Sequence, residues 1–580
     1  MRLEVLAKRL RQERHQKRRG SFEEDHARPE PVDDWVTEAL GRLPPALSAE
    51  LSRLDRAQQR AVLSEERCLL VRAPVGSGKT TVLVHKVLYL HLGLGVPLEE
   101  IAVLTFTRRA AELIRTRLSA LRSERPLSSR ETAWMGTFHA VACALLREAL
   151  PIGEFQVLEE ELRESWVRGL AAELGLRLSA KSSVDRGLLR SEALRAAYRE
   201  KKAAESTLDF DDLLDRATEQ MHQVRFRRPR WVLVDEAQDC EARDLAFIDG
   251  LAGPEARRFF VGDPLQSIYG FRGASPERFL EIATRAGARV HALEASYRST
   301  ETILHAARAV LGAQPISGGA IVPARAGGAP VTLLCHHDPT AEAIHLADRA
   351  IALHDAGTPW SEIGVLVRLN AQLPPITEHF ALRGVPFQMV ASGPVIDGVN
   401  PPAGAIASVN ASGPAIGGVN PPAGAIAEGV RLLTLHAAKG LEFAHVFLSG
   451  INRGLMPLLH GSTDAEERRL LFVGMTRARE SLEIGHHDRP TVPPASCAPS
   501  PYLDQIPASL LDRTVKRAVP APPPPAPAPP ALRFNPGQKV RHPRYGEGEV
   551  RRANEAEVEV DFGRRGLRTF PRKLCPLSEG

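Results

Sequence analysis

Residues 73–80 read APVGSGKT and stand between a short apolar run, 68–72, and a stretch with helical periodicity. A strand, a glycine-rich loop and a helix in that order are the context in which a loop holds phosphate. The backbone N–H groups of Gly76, Ser77 and Gly78 then face phosphate oxygens at a helix N-terminus, where unpaired donors and the helix dipole favour an anion. Lys79 reaches the β and γ phosphates, and the Thr80 hydroxyl ligates Mg2+. Pro74 has no N–H, so the cradle relies on the residues after it.

A second element completes a nucleotide site. In WVLVDEAQD (231–239) an apolar strand delivers two carboxylates to its end. Asp235 reads as a Mg2+ ligand through water, and Glu236 as the group that orients and deprotonates the attacking water. Adjacent acids after a strand also describe a solvated turn; the phosphate loop upstream favours the metal site. Phosphoryl transfer further needs cations against the developing charge, and YRST (297–300) and VGMTRAR (473–479) offer Arg298 and Arg477. Only 11 of the 75 basic residues are lysine. In such a chain, Lys79 and Lys439 mark places that call for a compact ammonium.

At 580 residues the chain exceeds one ordinary core. Residues 1–45 read as a basic, flexible arm. From 46 to 292, expected strands at 68–72, 101–105, 231–234 and 258–261 each end in a motif-bearing loop. This is the pattern of a parallel α/β sheet with its site at the strand carboxyl ends. Residues 108–228 read as a helical insertion. A second α/β unit spans 293–490, with strands expected at 331–334, 363–367, 431–435 and 445–448. Within it, 391–410 and 411–430 are a tandem repeat identical at 15 of 20 positions. Its Gly and Pro content reads as loop. Residues 491–531 read as a Pro/Ala linker. Residues 532–580 read as a small β-barrel, with strands expected at 539–541, 549–552, 557–561 and 567–570.

Several classes are disfavoured. No apolar run reaches the about 18 residues of a membrane span. Residues 1–20 hold eight Lys or Arg against two Glu and resemble no secretion signal. Six cysteines without a CxxC pair read as reduced thiols in a cytoplasmic protein. A net charge of +5 permits a nucleic-acid partner without demanding one.

Taken in order, the motifs resemble those of superfamily 1 DNA helicases of the UvrD, PcrA and Rep kind. LDRAQQRAV (54–62) is similar to the family's glutamine motif and implies Gln58 on adenine. APVGSGKT is similar to its Walker A loop, which extends the nucleotide-binding set to Ala73, Pro74, Val75 and Thr81. LTFTRRAA (104–111) and GTFHA (136–140) resemble two strand-contacting motifs and imply Thr105, Phe106, Thr137 and His139 on DNA. LDFDDLL (208–214) resembles a further signature. VGDPLQSIYGFRGA (261–274) resembles the coupling motif, with Gln266 sensing the γ-phosphate and Tyr269, Phe271 and Arg272 facing DNA. LEASYRST (293–300) implies Tyr297 stacked on adenine and Arg298 as a finger. TLHAAKGLEF (434–443) implies Thr434 and His436 on DNA and Glu442 at the nucleotide, and LLFVGMTRAR (470–479) implies Arg477 as the second finger.

The resemblance covers about residues 46–490. It implies two RecA-like cores that bind ATP and Mg2+ in their cleft and DNA across the top. It also implies movement 3′ to 5′ on single strands and action at single/double-strand junctions, in repair or replication. Phe106, Tyr269 and Phe271 would be stacking platforms, each contributing about 1–3 kcal/mol per base. The segment from Phe534 resembles the Tudor-like, SH3-like module that closes UvrD and PcrA chains, which implies docking on RNA polymerase or a repair protein. Two departures stand out. The short repeat at 391–430 replaces a large helical insert, which puts strand separation in doubt. Arg108 and Ser296 stand where relatives usually have Asn. Competing readings are a translocase that strips proteins from DNA and a polymerase-bound adaptor.

Overall fold

The computed structural model describes residues 34–106, 108–122, 127–128, 130–150, 155–176, 188, 190–223, 226, 228–270, 276–285, 287–312, 321–389, 429–458, 462–513, 535–542, 546–553, 557–563, 566–571 and 578–579. The chain divides into two compact units, Met1–Arg517 and Ala518–Gly580.

Among the described residues the first unit holds two large parallel sheets, beside two small two-stranded ones. In the first large sheet, the strands lie in the order Met135–Thr137, Ile101–Thr105, Trp231–Val234, Arg257–Gly262, Cys68–Arg72, Arg289–Ala292. Ile101–Thr105 and Trp231–Val234 are buried along their whole length, as continuous apolar runs are when helices cover both faces. Alternation sorts their side chains into two cores. Leu69, Val71, Ile101, Val103, Trp231 and Leu233 enter one, and Cys68, Leu70, Ala102, Leu104, Val232 and Val234 the other.

The second sheet runs Phe387–Met389, Val430–Thr434, Ile363–Val367, Phe443–Leu448, Ala478–His487, Val331–His336, Leu511–Asp512, again all parallel. One of its cores also takes in Val75, Leu265 and Ile268 of the first half. The two halves thus share apolar packing directly behind the phosphate loop.

The second unit is a five-stranded antiparallel sheet in the order Leu567–Pro571, Glu557–Asp561, Gly546–Ala553, Lys539–His542, Ser578–Glu579. Val540, Val550, Val558, Val560 and Phe562 form its core.

Three boundaries differ from the sequence reading. Residues 34–41 are helical, with Val36 and Leu40 buried in the first core, so apolar packing begins inside the expected arm. Within the expected helical insertion, Met135–Thr137 pairs with Ile101–Thr105 as an edge strand of the sheet; three residues are too few to show a period. The expected linker begins too early. Tyr502, Leu503 and Ile506 are buried in the second core and Leu511–Asp512 pairs with Val331–Thr332, because a few apolar side chains outweigh a Pro-rich composition. The repeat at 391–430 lies outside the described residues but for its last two, Gly429 and Val430; of these Val430 opens a strand. The Pro/Ala run at 521–530 lies wholly outside them.

One buried cation ties the elements under the phosphate loop. Lys86, on the helix Lys79–Leu88 that follows the loop, is fully buried. Its Nζ donates to Val62 O at 2.9 Å and to Ser64 O, the carbonyl end of the helix Arg56–Leu63. A cation there complements the helix dipole, and the Trp231 ring lies 4.7 Å from it. Burial nevertheless pulls the ammonium down to about 7, with Glu65 opposing and Arg257 adding to the shift. Between pH 7 and the ordinary lysine range the unfolded chain therefore binds a proton that the folded chain does not, so stability rises with pH there. Lys86→Met is expected to remove this slope, at most about 1.4 kcal/mol per pH unit. Denaturant melts at pH 7, 8 and 9 test this; a variant whose stability climbs in parallel with the parent chain would contradict it.

Candidate nucleotide-binding cleft

The loop opens the cleft. Gly76 and Gly78 have φ of 72° and 81°, conformations that glycine adopts without steric penalty. A Cβ on Gly76 would lie 2.7 Å from Ser296 Oγ and 2.8 Å from the Arg298 Cβ. The second half of the chain is thus pressed onto the loop, and Gly76 O accepts the Tyr297 amide at 2.9 Å. Ser77 differs from its expected role: its N–H donates to Pro74 O at 3.1 Å, inside the loop. Ala73 and Val75 face the cores, and the Ala73 N–H donates to Gly262 O at 2.8 Å. Their side chains therefore do not line the cleft, because the loop begins as an extension of the strand before it.

Gln58 is held from both ends. Asp55 caps the helix Arg56–Leu63 by accepting the Gln58 amide at 2.8 Å, while Gln58 Oε1 accepts the Asp55 amide at 3.1 Å. Gln58 Nε2 donates to Ser77 O at 2.9 Å. Asp55 also accepts the Tyr297 hydroxyl at 2.6 Å. The sequence reading missed Asp55, although the D-x-x-Q spacing of a capping box was visible.

The two carboxylates stand at the end of Trp231–Val234. Asp235 is buried and accepts the Glu236 amide at 3.0 Å. Glu236 adopts a left-handed backbone, φ 50°, unusual outside glycine and common at functional turns. Its carboxylate lies 3.8 Å from Lys79 Nζ and accepts Gln238 Nε2 at 2.5 Å. Burial and the neighbouring Glu236 charge push the Asp235 carboxyl up to about 7. Burial would raise Glu236 too, but Lys79 and then Lys439 outweigh it and hold it at about 2.

Sensor and arginines complete the ring. Gln266 is buried, with Nε2 donating to Asp263 at 2.7 Å. Arg477 is buried and its Nη2 faces Gln266 Oε1 at 3.5 Å, while Nε donates to Val473 O at 2.9 Å. Burial, reinforced by the Arg298 charge, lowers the Arg477 guanidinium to about 9. Arg298 Nε donates to Glu442 at 2.7 Å. Lys439, whose partners the sequence did not show, donates to Asp239 and, at 2.8 Å, to Gln266 O.

The residues present fit a nucleotide with Mg2+. Ser77 Oγ, Ser296 Oγ and Asp239 Oδ1 are buried without hydrogen-bond partners among the described residues. The glycine cradle has no room for a side chain, and two carboxyls packed together call for a cation. Thr80 and Thr81, in the first turn of the helix Lys79–Leu88, are partly exposed.

The expected strand-contacting residues lie at the carboxyl ends of other strands. Thr105 and Thr137 close neighbouring strands, and Thr137 caps the helix Phe138–Ala149 by accepting the Ala140 amide at 3.2 Å. Phe106 packs on Phe138, ring centroids 4.9 Å apart, and His139 meets the edge of Phe210 at 5.2 Å. Tyr269 lies 6.4 Å from the His436 ring and 4.9 Å from Lys439 Nζ. Thr434 accepts the Ala437 amide at 3.2 Å. Phe271 and Arg272 lie outside the described residues.

Glu236→Gln is expected to lower nucleotide turnover about a hundredfold or more while a fluorescent ATP analogue still binds; Lys79→Ala should lose both. Turnover at the parent rate in either variant would remove this cleft from the chemistry.

Two family models and several known proteins match this chain. The model of the UvrD/REP helicase N-terminal domain matches residues 54–179 and 189–286. That of the UvrD-like helicase C-terminal domain matches residues 420–489. ATP-dependent DNA helicase UvrD2 of Mycobacterium tuberculosis is 28% identical over 75% of this chain and 78% of its own length. DNA helicase II of Escherichia coli is 32% identical over 58% of this chain and 51% of its own. ATP-dependent DNA helicase PcrA of Staphylococcus epidermidis is 23% identical over 92% of this chain and the whole of its own, an alignment 733 residues long. With both domain models matched in order around one cleft, the chain belongs to the UvrD/PcrA/Rep-type superfamily 1 helicases.

Proposed function

We propose that this chain is an ATP-dependent DNA helicase that moves 3′ to 5′ on single-stranded DNA. Supporting this most directly is the single cleft that faces Lys79, Glu236 and Gln266 of the first half with Arg298, Glu442 and Arg477 of the second, Arg477 standing 3.5 Å from Gln266. Residues 46–292 and 293–490 act as the two motor cores, with the segment to 512 completing the second. The relatives' names, DNA helicase II and ATP-dependent DNA helicase, agree with this reading.

In this mechanism Gln58 and Tyr297 hold the adenine, with Asp55 fixing both. Phosphates draw Lys79 from Glu236, which leaves that carboxylate free to take a proton from water. Thr80 and Asp235 would hold Mg2+, which would supply positive charge against the phosphate oxygens. Arg298 leaves Glu442, and both arginines meet the charge that develops on the γ-phosphoryl group. The cores close on ATP and part after hydrolysis. Thr105, Phe106, Thr137, His139, Tyr269, Phe271 and Arg272 of the first core and Thr434 and His436 of the second grip the strand, so one grip slips at each cycle. The five-stranded C-terminal sheet serves as a Tudor-like, SH3-like platform for RNA polymerase or a repair protein.

A second reading is a translocase with little strand separation. It is favoured by the repeat at 391–430 and by an alignment of 733 residues against a chain of 580, which leaves stretches of the relative without a counterpart. ATPase assays with and without single-stranded DNA, beside unwinding of 3′-tailed and 5′-tailed duplexes, separate the readings. DNA-stimulated turnover with opening of the 3′-tailed duplex is expected. Stimulated turnover with both duplexes closed would favour the translocase, preference for the 5′ tail would reverse the polarity, and unstimulated turnover would defeat the motor reading.

A further inference from the structure

The loop from Gln266 to Gly270 carries both Gln266, which faces Arg477, and Tyr269, on the side assigned to DNA. Beside Lys439, which donates to Gln266 O at 2.8 Å, it is held from the second core by the helix Asp464–Met475, which leads into Arg477. Glu466 Oε1 accepts the Gly270 amide at 2.7 Å, and Arg469 Nε donates to Ser267 O at 2.7 Å. Glu466 and Arg469 are three residues apart and so share a helix face; the loop residues they hold are also three apart. The fit leaves no slack, since a Cβ on Gly270 would lie 2.7 Å from the Glu466 carboxylate. On the helix's other side Glu467 pairs with Arg368 at 2.7 Å and accepts the Leu458 amide at 3.0 Å, which fixes the helix within its own core.

Both gripping side chains are buried. Burying an ionised group is unfavourable unless its contacts compensate. Burial lowers the Arg469 guanidinium, with Glu466 and Glu277 opposing the shift. Apolar residues at these two positions would pack the interface without that penalty. A charged grip on backbone groups instead gives the contact one register and lets it be made or broken as a unit.

We propose that Glu466 and Arg469 are positioning residues that lock the 266–270 loop to the helix leading into Arg477, and so carry strand occupancy at Tyr269 to the nucleotide cleft. This rests on the motor reading above. A base on Tyr269 moves the loop, the loop moves the helix through its two polar contacts, and Arg477 is set against Gln266. Neither residue is among those assigned above to the nucleotide or to DNA. Its loss therefore leaves turnover without DNA intact and removes the acceleration by DNA.

Glu466→Ala, Glu466→Gln and Arg469→Met in the full chain test this, with oligo(dT) as activator and a fluorescent ATP analogue for binding. Glu466→Ala and Arg469→Met are expected to keep DNA-independent turnover and analogue affinity within about twofold, while the fold-stimulation by oligo(dT) drops about tenfold, the usual size of coupling between sites. Glu466→Gln, which keeps an acceptor for the Gly270 amide, should retain most of the stimulation; a purely structural role would lower DNA-independent turnover along with it in Glu466→Ala. If Glu466→Ala loses its cooperative melt, Glu466→Asp replaces it with the same expected loss, since the carboxylate is drawn back by one methylene. Unchanged stimulation, or DNA-independent turnover and stimulation falling together, would overturn the proposal while leaving the motor reading in place. A parent chain whose turnover oligo(dT) does not raise would overturn both.

Discussion

At Gly76 the backbones of the two cores meet. Its carbonyl accepts the Tyr297 amide, and its missing side chain leaves room for Ser296 and the Arg298 Cβ. A side chain there would wedge the cleft open and would also strain a backbone at φ 72°. Around this approach the rest is arranged. Tyr297 reaches Asp55, Asp55 holds Gln58, and Arg298 lies against Glu442. The loop thus serves two purposes at once: a cradle shaped for an anion and a joint between domains.

Strand order separates the tasks along the first sheet. The phosphate loop follows Cys68–Arg72, while Thr105 and Thr137 end the two strands at the far edge. Between them run Trp231–Val234 and Arg257–Gly262, whose ends carry Asp235, Glu236 and the loop to Gln266. Those two ends lie between the proposed strand-binding edge and the phosphate loop. There the structure concentrates buried charge: Asp235, Asp239, Asp263 and, from the second core, Arg477. In a low-dielectric cleft the charge on each depends on its neighbours.

Much of the fold was legible from local pattern. The strands Cys68–Arg72, Ile101–Thr105, Trp231–Val234 and Ile363–Val367 stand where short apolar runs predict them. What escaped was short or atypical. Met135–Thr137 and Phe387–Met389 have three residues each, too few for a period to show. Residues 499–512 look like linker by composition, yet three of their apolar side chains fill a gap in the second core. In the site, glycines, lysine and paired acids announce themselves by type and spacing. Ser77's inward amide and Asp55's second bond do not, because each depends on a partner that local sequence does not name.

By itself the sequence determined which groups are available: a phosphate loop at a strand end, two carboxylates after another strand, and arginines in later motifs. These follow from residue type, spacing and the periods of helix and strand, all local properties. Only the tertiary structure decided which of them meet. Arg298 finds Glu442 144 residues away, Lys439 finds Asp239 200 away, and Arg477 faces Gln266 211 away. Such meetings depend on the order of strands in each sheet and on how one core packs against the other. These are set by the burial of whole faces rather than by any short run of residues.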